Sequence, residues 1–181
     1  MVKIIPYYLV REYLLNESEV NVKPRLSPIE VIFLEASDMK IISKNPEVPD
    51  TEEELLKRLD EGCWCLGIKH KGEIAAYTWC NLRTCRFKRI NTPLRDDEAY
   101  LLDARTFKAN RGKNLAPYLR YQLYKHLAQR GRTKFYSITI MSNTSSMKFK
   151  EKLGGRPLKL YLYIGFCDKY HLNILLKTFI G

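Results

Sequence analysis

No run in this sequence is apolar over the roughly 20 residues that a membrane-spanning helix needs. The opening stretch, "MVKIIPYYLVREYLLNE", is broken by Arg11 and Glu12, and its apolar run is too short for a signal peptide. A cytoplasmic protein without a membrane span is therefore expected. Histidine is scarce, and the three present, His70, His126 and His171, are scattered. The five cysteines, Cys63, Cys65, Cys80, Cys85 and Cys167, are odd in number and lack the paired spacings of a zinc site. Reduced, mostly buried thiols and no metal are expected. Internal repeats, low-complexity tracts and linkers are absent as well. With 181 residues, 45% of them hydrophobic, a single domain over residues 1–181 with one sizeable core is expected.

Acidic residues are missing from one segment in particular. Between Ala104 and Arg156 there are thirteen Lys or Arg residues and one acid, Glu151, whereas the remaining chain holds eighteen basic and nineteen acidic residues. The net charge of +11 is thus concentrated in one stretch. Such a local field attracts a polyanion: nucleic acid, an acidic carrier protein, or a nucleotide cofactor with several phosphates. Nucleic acid is disfavoured, because no helix-turn-helix, zinc or RNA-recognition signature accompanies the charge.

What is present is a succession of short, well-punctuated elements. "SPIEVIFLEASDMKII" reads as a strand running into a helix, and "DTEEELLKRLDEG" as a helix with Asp50 or Thr51 as cap, three early glutamates and a terminating Gly62. "CWCLGIKHKGEIAAYTWCNL" reads as two strands around Lys71-Gly72. A basic connector, "RTCRFKRINTPLRDD", leads to the strand "EAYLLDARTF". Leu115, Leu119, Leu123 and Leu127 then recur every four residues on one helix face, with Gly131 placed to stop it. "KFYSITIM" alternates as a strand, "NTSSMKFKEKLGG" is a short helix capped by Asn143 or Thr144, and "LKLYLYIGF" and "YHLNILLKTF" are closing strands. This order predicts an α/β fold of mixed α+β kind, a central mixed sheet flanked by helices, with "EAYLLDARTF" parallel to "KFYSITIM" by right-handed crossover.

Between that strand and helix stands "NRGKNLAP", Asn110 to Pro117. The first amides of a helix point outward with the positive end of its dipole behind them, so a strand-to-helix turn can cradle phosphate. Gly112 lets the backbone bend and lets an anion approach, and Arg111 and Lys113 add charge. Pro117 falls where a helix needs no intrahelical donor. A basic loop capping an ordinary amphipathic helix would carry the same residues.

"RGKNLA", followed about thirty residues later by a strand and "NTSSMKFKEKLGG", resembles the GNAT superfamily of acyl-CoA-dependent N-acyltransferases. Arg111 and Ala116 match the first and last positions of the family's Arg/Gln-x-x-Gly-x-Gly/Ala turn, and Asn143, Ser146 and Gly154 match its later helix. The likeness runs from about Ile29 to Phe179 and leaves residues 1–28 as an N-terminal extension. Two positions depart from the pattern: Asn114 stands for the family's middle glycine, and Lys150 for a tyrosine that in many members protonates the departing thiolate. Lys150 is expected to be a solvated helix residue that could also serve in that role.

The resemblance implies a GNAT-like fold with a splayed parallel strand pair, and acetyl-CoA or another acyl-CoA bound by Thr106, Phe107, Arg111, Gly112, Lys113, Asn114, Leu115, Ala116 and Asn143. It implies direct attack of a substrate amine, belonging to a small molecule or a peptide, on the thioester. Asp103 is the first candidate for the base and Glu98 the second, with an ion pair to Arg105 or another local cation, or a solvent-facing strand position, as the alternatives for Asp103. Tyr161 and Tyr163 are candidates to replace the family's tyrosine. An acyl carrier protein as donor, or a GNAT fold that binds without turnover, are the alternatives, and the oligomeric state is left open.

Overall fold

The structure, a computed structural model, describes residues 2–16, 19, 22–166 and 170–179. Its local elements follow from short-range chemistry. Helix α2 (Glu52–Asp60) begins at Thr51, whose Oγ1 accepts from the Glu54 amide at 3.2 Å while the Glu54 carboxylate accepts from the Thr51 amide at 2.8 Å. This reciprocal pair satisfies two donors that a helix start would otherwise leave open. Helix α1 (Ala36–Ser43) precedes it. Strands β3 (Trp64–His70) and β4 (Glu73–Asn81) meet at Lys71 and Gly72, both at positive φ, the twist that a tight hairpin requires.

Among the described residues eight strands form one sheet in the order β10-β9-β1-β8-β7-β4-β3-β2. They include β1 (Val2–Glu12), β2 (Glu30–Phe33), β7 (Glu98–Thr106), β8 (Lys134–Ile140), β9 (Arg156–Phe166) and β10 (Tyr170–Thr178). All neighbouring pairs are antiparallel except β7 and β8, which helix α3 (Leu115–Ala128) connects in parallel. The central mixed sheet anticipated above is the fold observed, and it is mostly antiparallel. The segment that the motifs left unmatched supplies the strand between β8 and β9.

The basic connector differs from its expectation. It forms a hairpin of β5 (Thr84–Phe87) and β6 (Ile90–Pro93), turning at Lys88, which has φ of 55° without being glycine. Phe87 holds it down, its ring 4.4 Å from Tyr7 on β1. Neither the turn nor that distant partner is marked locally in the sequence.

Helices cover both faces. The stripe Leu115, Leu119, Leu123 and Leu127 on α3 is fully buried against Leu66, Ala76, Ala99 and Phe135, while Met39, Ile42 and Leu55 of α1 and α2 pack with Trp79 and Tyr77 on the opposite face. Each buried leucine contributes about 1.5–3 kcal/mol by leaving water. Cys63, Cys65 and Cys80 are buried and free and Cys85 is half-buried and free; Cys167 lies outside the described residues. Among the described residues no cluster of side chains could hold a metal ion.

Candidate active site

The parallel pairing of β7 and β8 is short. It runs from Glu98 opposite Lys134 to Leu101 opposite Ser137, and beyond these residues both strands continue without pairing to each other. The divergence is helped by a bulge in β7. Its pairing with β4 jumps from Leu102 opposite Trp79 to Ala104 opposite Thr78, leaving Asp103 as the extra residue at φ 40°. A cleft of about 460 Å³ opens there, lined by both strands, by Ala116 and Arg120 of α3 and by Ser146, Phe149 and Lys150 from helix α4 (Thr144–Glu151).

A second cavity of about 440 Å³ adjoins it and shares Ala116, Ser145 and Phe149. It lies over the start of α3, where Gly112, Asn114, Leu115 and Ala116 line it. The first-turn amides there lack intrahelical acceptors and carry the positive end of the dipole. Arg25, Arg111, Lys148 and Lys152 surround this mouth. Asn114 takes the left-handed conformation at φ 59° and makes no side-chain cap; its Nδ2 donates to the Lys23 carbonyl at 2.9 Å. Its side chain is thus turned toward the N-terminal segment. Asn114→Ala should cost about 1–2 kcal/mol from left-handed strain alone, and Asn114→Gly distinctly less, in urea denaturation of the two variants.

Beneath the cleft lies a buried charge cluster. Glu12 at the end of β1 is fully buried and accepts hydrogen bonds from Ser137 and Tyr124. Arg120 Nε stands 3.7 Å from its Oε2 and Lys150 Nζ 4.0 Å from its Oε1. Lys150 also donates to the Thr139 hydroxyl. Burial would raise the Glu12 pKa, but Arg120, Lys150 and the two hydroxyl donors outweigh it and hold the carboxyl below 4.5. Burial lowers the Lys150 ammonium to about 8, against the attraction of Glu12 and with the repulsion of Arg120. The expected solvated position of Lys150 is therefore wrong: the residue is 2% exposed and lines the cleft.

A sequence model of the acetyltransferase (GNAT) family matches residues 29–155. The chain belongs to the GNAT acetyltransferase family. No curated protein matches it significantly. Solved structures of similar fold include a GNAT-family protein from Novosphingobium aromaticivorans, with a TM-score of 0.59 and 19% identity over 87% of this chain and 62% of that one. The tandem GNAT protein of the clavulanic acid biosynthesis pathway gives 0.64 and 14% over 90% and 53%. The ribosomal-protein-S18-alanine N-acetyltransferase of Escherichia coli gives 0.57 and 19% over 70% and 77%. The chain spans less than two thirds of the length of the first two.

Within this GNAT chain the residues singled out from sequence fall into three groups. Thr106, Arg111, Gly112, Asn114, Leu115 and Ala116 line the mouth, and Asn143 lines the cleft while its Oδ1 caps α4 by accepting from the Ser146 amide at 3.1 Å. Arg111 is partly engaged, donating to the Thr106 carbonyl at 3.1 Å and pairing with Glu47. Two residues stand apart from the cavity. Lys113 folds back onto the Ala109 carbonyl at 3.1 Å and Asn110 Oδ1 at 3.2 Å, and Phe107 is buried against Tyr77 in the core.

The three catalytic candidates are dispersed. Asp103 borders the cleft, yet its carboxylate pairs with Arg58 at 2.9 Å, and Arg58 also holds Asp50 at 2.6 Å. Glu98 lines a separate cavity of about 360 Å³ with Tyr7, Tyr136 and Tyr161, which shares Ile138 with the cleft, and its carboxylate accepts from the Arg95 amide at 2.9 Å. Tyr163 is buried between the rings of Phe87 and His171. Sequence reasoning missed Glu12, Arg120, Arg25, Lys148 and Lys152. A signal for the last pair was present, since residues 148 and 152 are four apart and share one helix face.

Proposed function

We propose that the chain is an N-acyltransferase that moves an acyl group from acyl-CoA, most simply acetyl-CoA, to an amine of a small molecule or peptide by direct attack. The observation that carries this reading is the basic mouth at the α3 N-terminus adjoining, through the shared Ala116, Ser145 and Phe149, the cleft in the strand splay that Lys150 lines. The residues present suit the group: first-turn amides that need no intrahelical acceptor and four cations for phosphates, then an adjoining cleft lined by residues of α3 and α4. When bound, acyl-CoA would supply an activated thioester. Gly112, Leu115 and Ala116 would hold phosphate by backbone amides, with Arg25, Lys148 and Lys152 balancing its charge. Lys150, with its pKa near 8, is the group suited to protonate the departing sulfur. The C–S bond breaks as the C–N bond forms, the nitrogen's surplus proton leaves to water, and Lys150 regains its proton from solvent.

The acceptor fits best in the aromatic cavity beside Tyr7 and Tyr161 on the face opposite α4, joined to the cleft at Ile138. Free, mostly buried cysteines favour a reducing compartment such as the cytoplasm. A thermal-shift titration with acetyl-CoA tests the reading: at about 100 times its dissociation constant a site-specific ligand adds about 2.7 kcal/mol of stability. Absence of any shift with CoA or its acyl esters would overturn it. A shift confined to an acyl carrier protein's pantetheine-linked donor would move the reading to that donor.

A further inference from the structure

The cleft holds more positive charge than its own carboxylates balance. Asp103, Arg105, Arg120 and Lys150 line it. Asp103 is committed to Arg58, and Arg105 donates to the Glu47 carbonyl. Arg120 and Lys150, both 2% exposed, then face the single carboxylate of Glu12, whose oxygens already accept from Ser137 and Tyr124. Among the described residues, Nε and Nη1 of Arg120 are buried without a hydrogen-bond partner. The guanidinium lies over the ring of Phe149, 5.7 Å from its centroid, and that ring lines both the cleft and the mouth. A buried cation with unmade hydrogen bonds gains strongly on meeting an anionic oxygen, and an acetyl group brings none.

We propose that the acyl group this site prefers ends in a carboxylate: a short dicarboxylic acyl thioester of the malonyl or succinyl kind, with Arg120 receiving the carboxylate. The proposal rests on the acyl-CoA reading above. Arg120 and Lys150 approach different oxygens of Glu12, so one cation can meet the far end of a short acyl chain while the other serves the sulfur. The donor rather than the acceptor is the source of the carboxylate because Arg120 sits on α3, one turn beyond Ala116, which lines the phosphate mouth and the cleft alike. The tyrosine-lined cavity on the other face does not include Arg120.

Calorimetric dissociation constants of the unmodified protein for CoA, acetyl-CoA, butyryl-CoA, malonyl-CoA and succinyl-CoA test this without turnover. Malonyl-CoA or succinyl-CoA should bind about tenfold or more tighter than uncharged butyryl-CoA. Arg120→Gln should close that gap while CoA itself still binds. Equal binding of the charged and uncharged esters by the unmodified protein would overturn the proposal, whether or not the variant folds. So would stabilisation by amino acids or free succinate with no preference among the esters, since the carboxylate would then belong to the acceptor. CoA binding without a preference defeats this inference alone; no binding of any CoA species defeats the acyl-CoA reading as well.

Discussion

Lys150→Met should lower kcat by about 10²- to 10³-fold while leaving acetyl-CoA affinity within a few-fold, because in the proposed reaction the ammonium is needed only as charge develops on the leaving sulfur. Methionine matches the length of the lysine stem and leaves Glu12 and Arg120 as a balanced pair, so no loss of fold is expected. The pH dependence gives an independent check. The donor form of Lys150 is present below about 8, so the unmodified protein should lose activity as pH rises through that value. Lys150→Arg, charged throughout, should move that alkaline limb upward. A kcat unchanged in Lys150→Met would remove the residue from the chemistry. The same shift affects stability: between about 8 and 10.5 the unfolded chain holds this proton more tightly than the folded one, so the Lys150 contribution to stability improves as pH rises across that window.

Glu12→Ala is expected to cost about 3–5 kcal/mol in denaturant or thermal unfolding, the usual penalty for leaving buried charges without their partner. It strands two cations and removes the acceptor used by Ser137 and Tyr124. Against a typical net stability of about 5–15 kcal/mol this is a large fraction. Glu12→Gln keeps an acceptor for the hydroxyls and should cost less, so a loss that is equal in both variants would point to the charge, and a loss confined to Ala to the hydrogen bonds. The folded Glu12 carboxyl is held below 4.5, so its contribution is complete above that value and is lost as pH falls through the depressed one. Acid unfolding of the protein should therefore shift to higher pH when Glu12 is intact but Arg120 is replaced.

The legible parts of this molecule were those written in local chemistry. The leucine period of α3, the Thr51 and Asn143 caps and the Lys71-Gly72 turn each need only neighbouring residues, and each is found where the pattern puts it. The same holds for the turn before α3, whose amides and glycine line the mouth. Lys150 was misread because three lysines at 148, 150 and 152 look alike in a short helix. Only 150 shares a face with Ser146 and Leu153, and that face turns inward onto Thr139. The β5–β6 hairpin was missed because its turn has no glycine and its anchor, Tyr7, is remote in sequence.

By itself the sequence determined the elements other than β1 and the β5–β6 hairpin, the crossover that makes β7 and β8 parallel, and the basic turn at the start of α3, since periodicity, capping and dipole act within a few residues. Only the tertiary structure decided which charges meet at the candidate site. It brings β1 between β8 and β9, sets Glu12 beside Arg120 and Lys150, and ties Asp103 to Arg58. The physical reason is that a side chain's protonation and its freedom to act depend on burial and on partners within a few ångströms, and those partners come from distant parts of the chain.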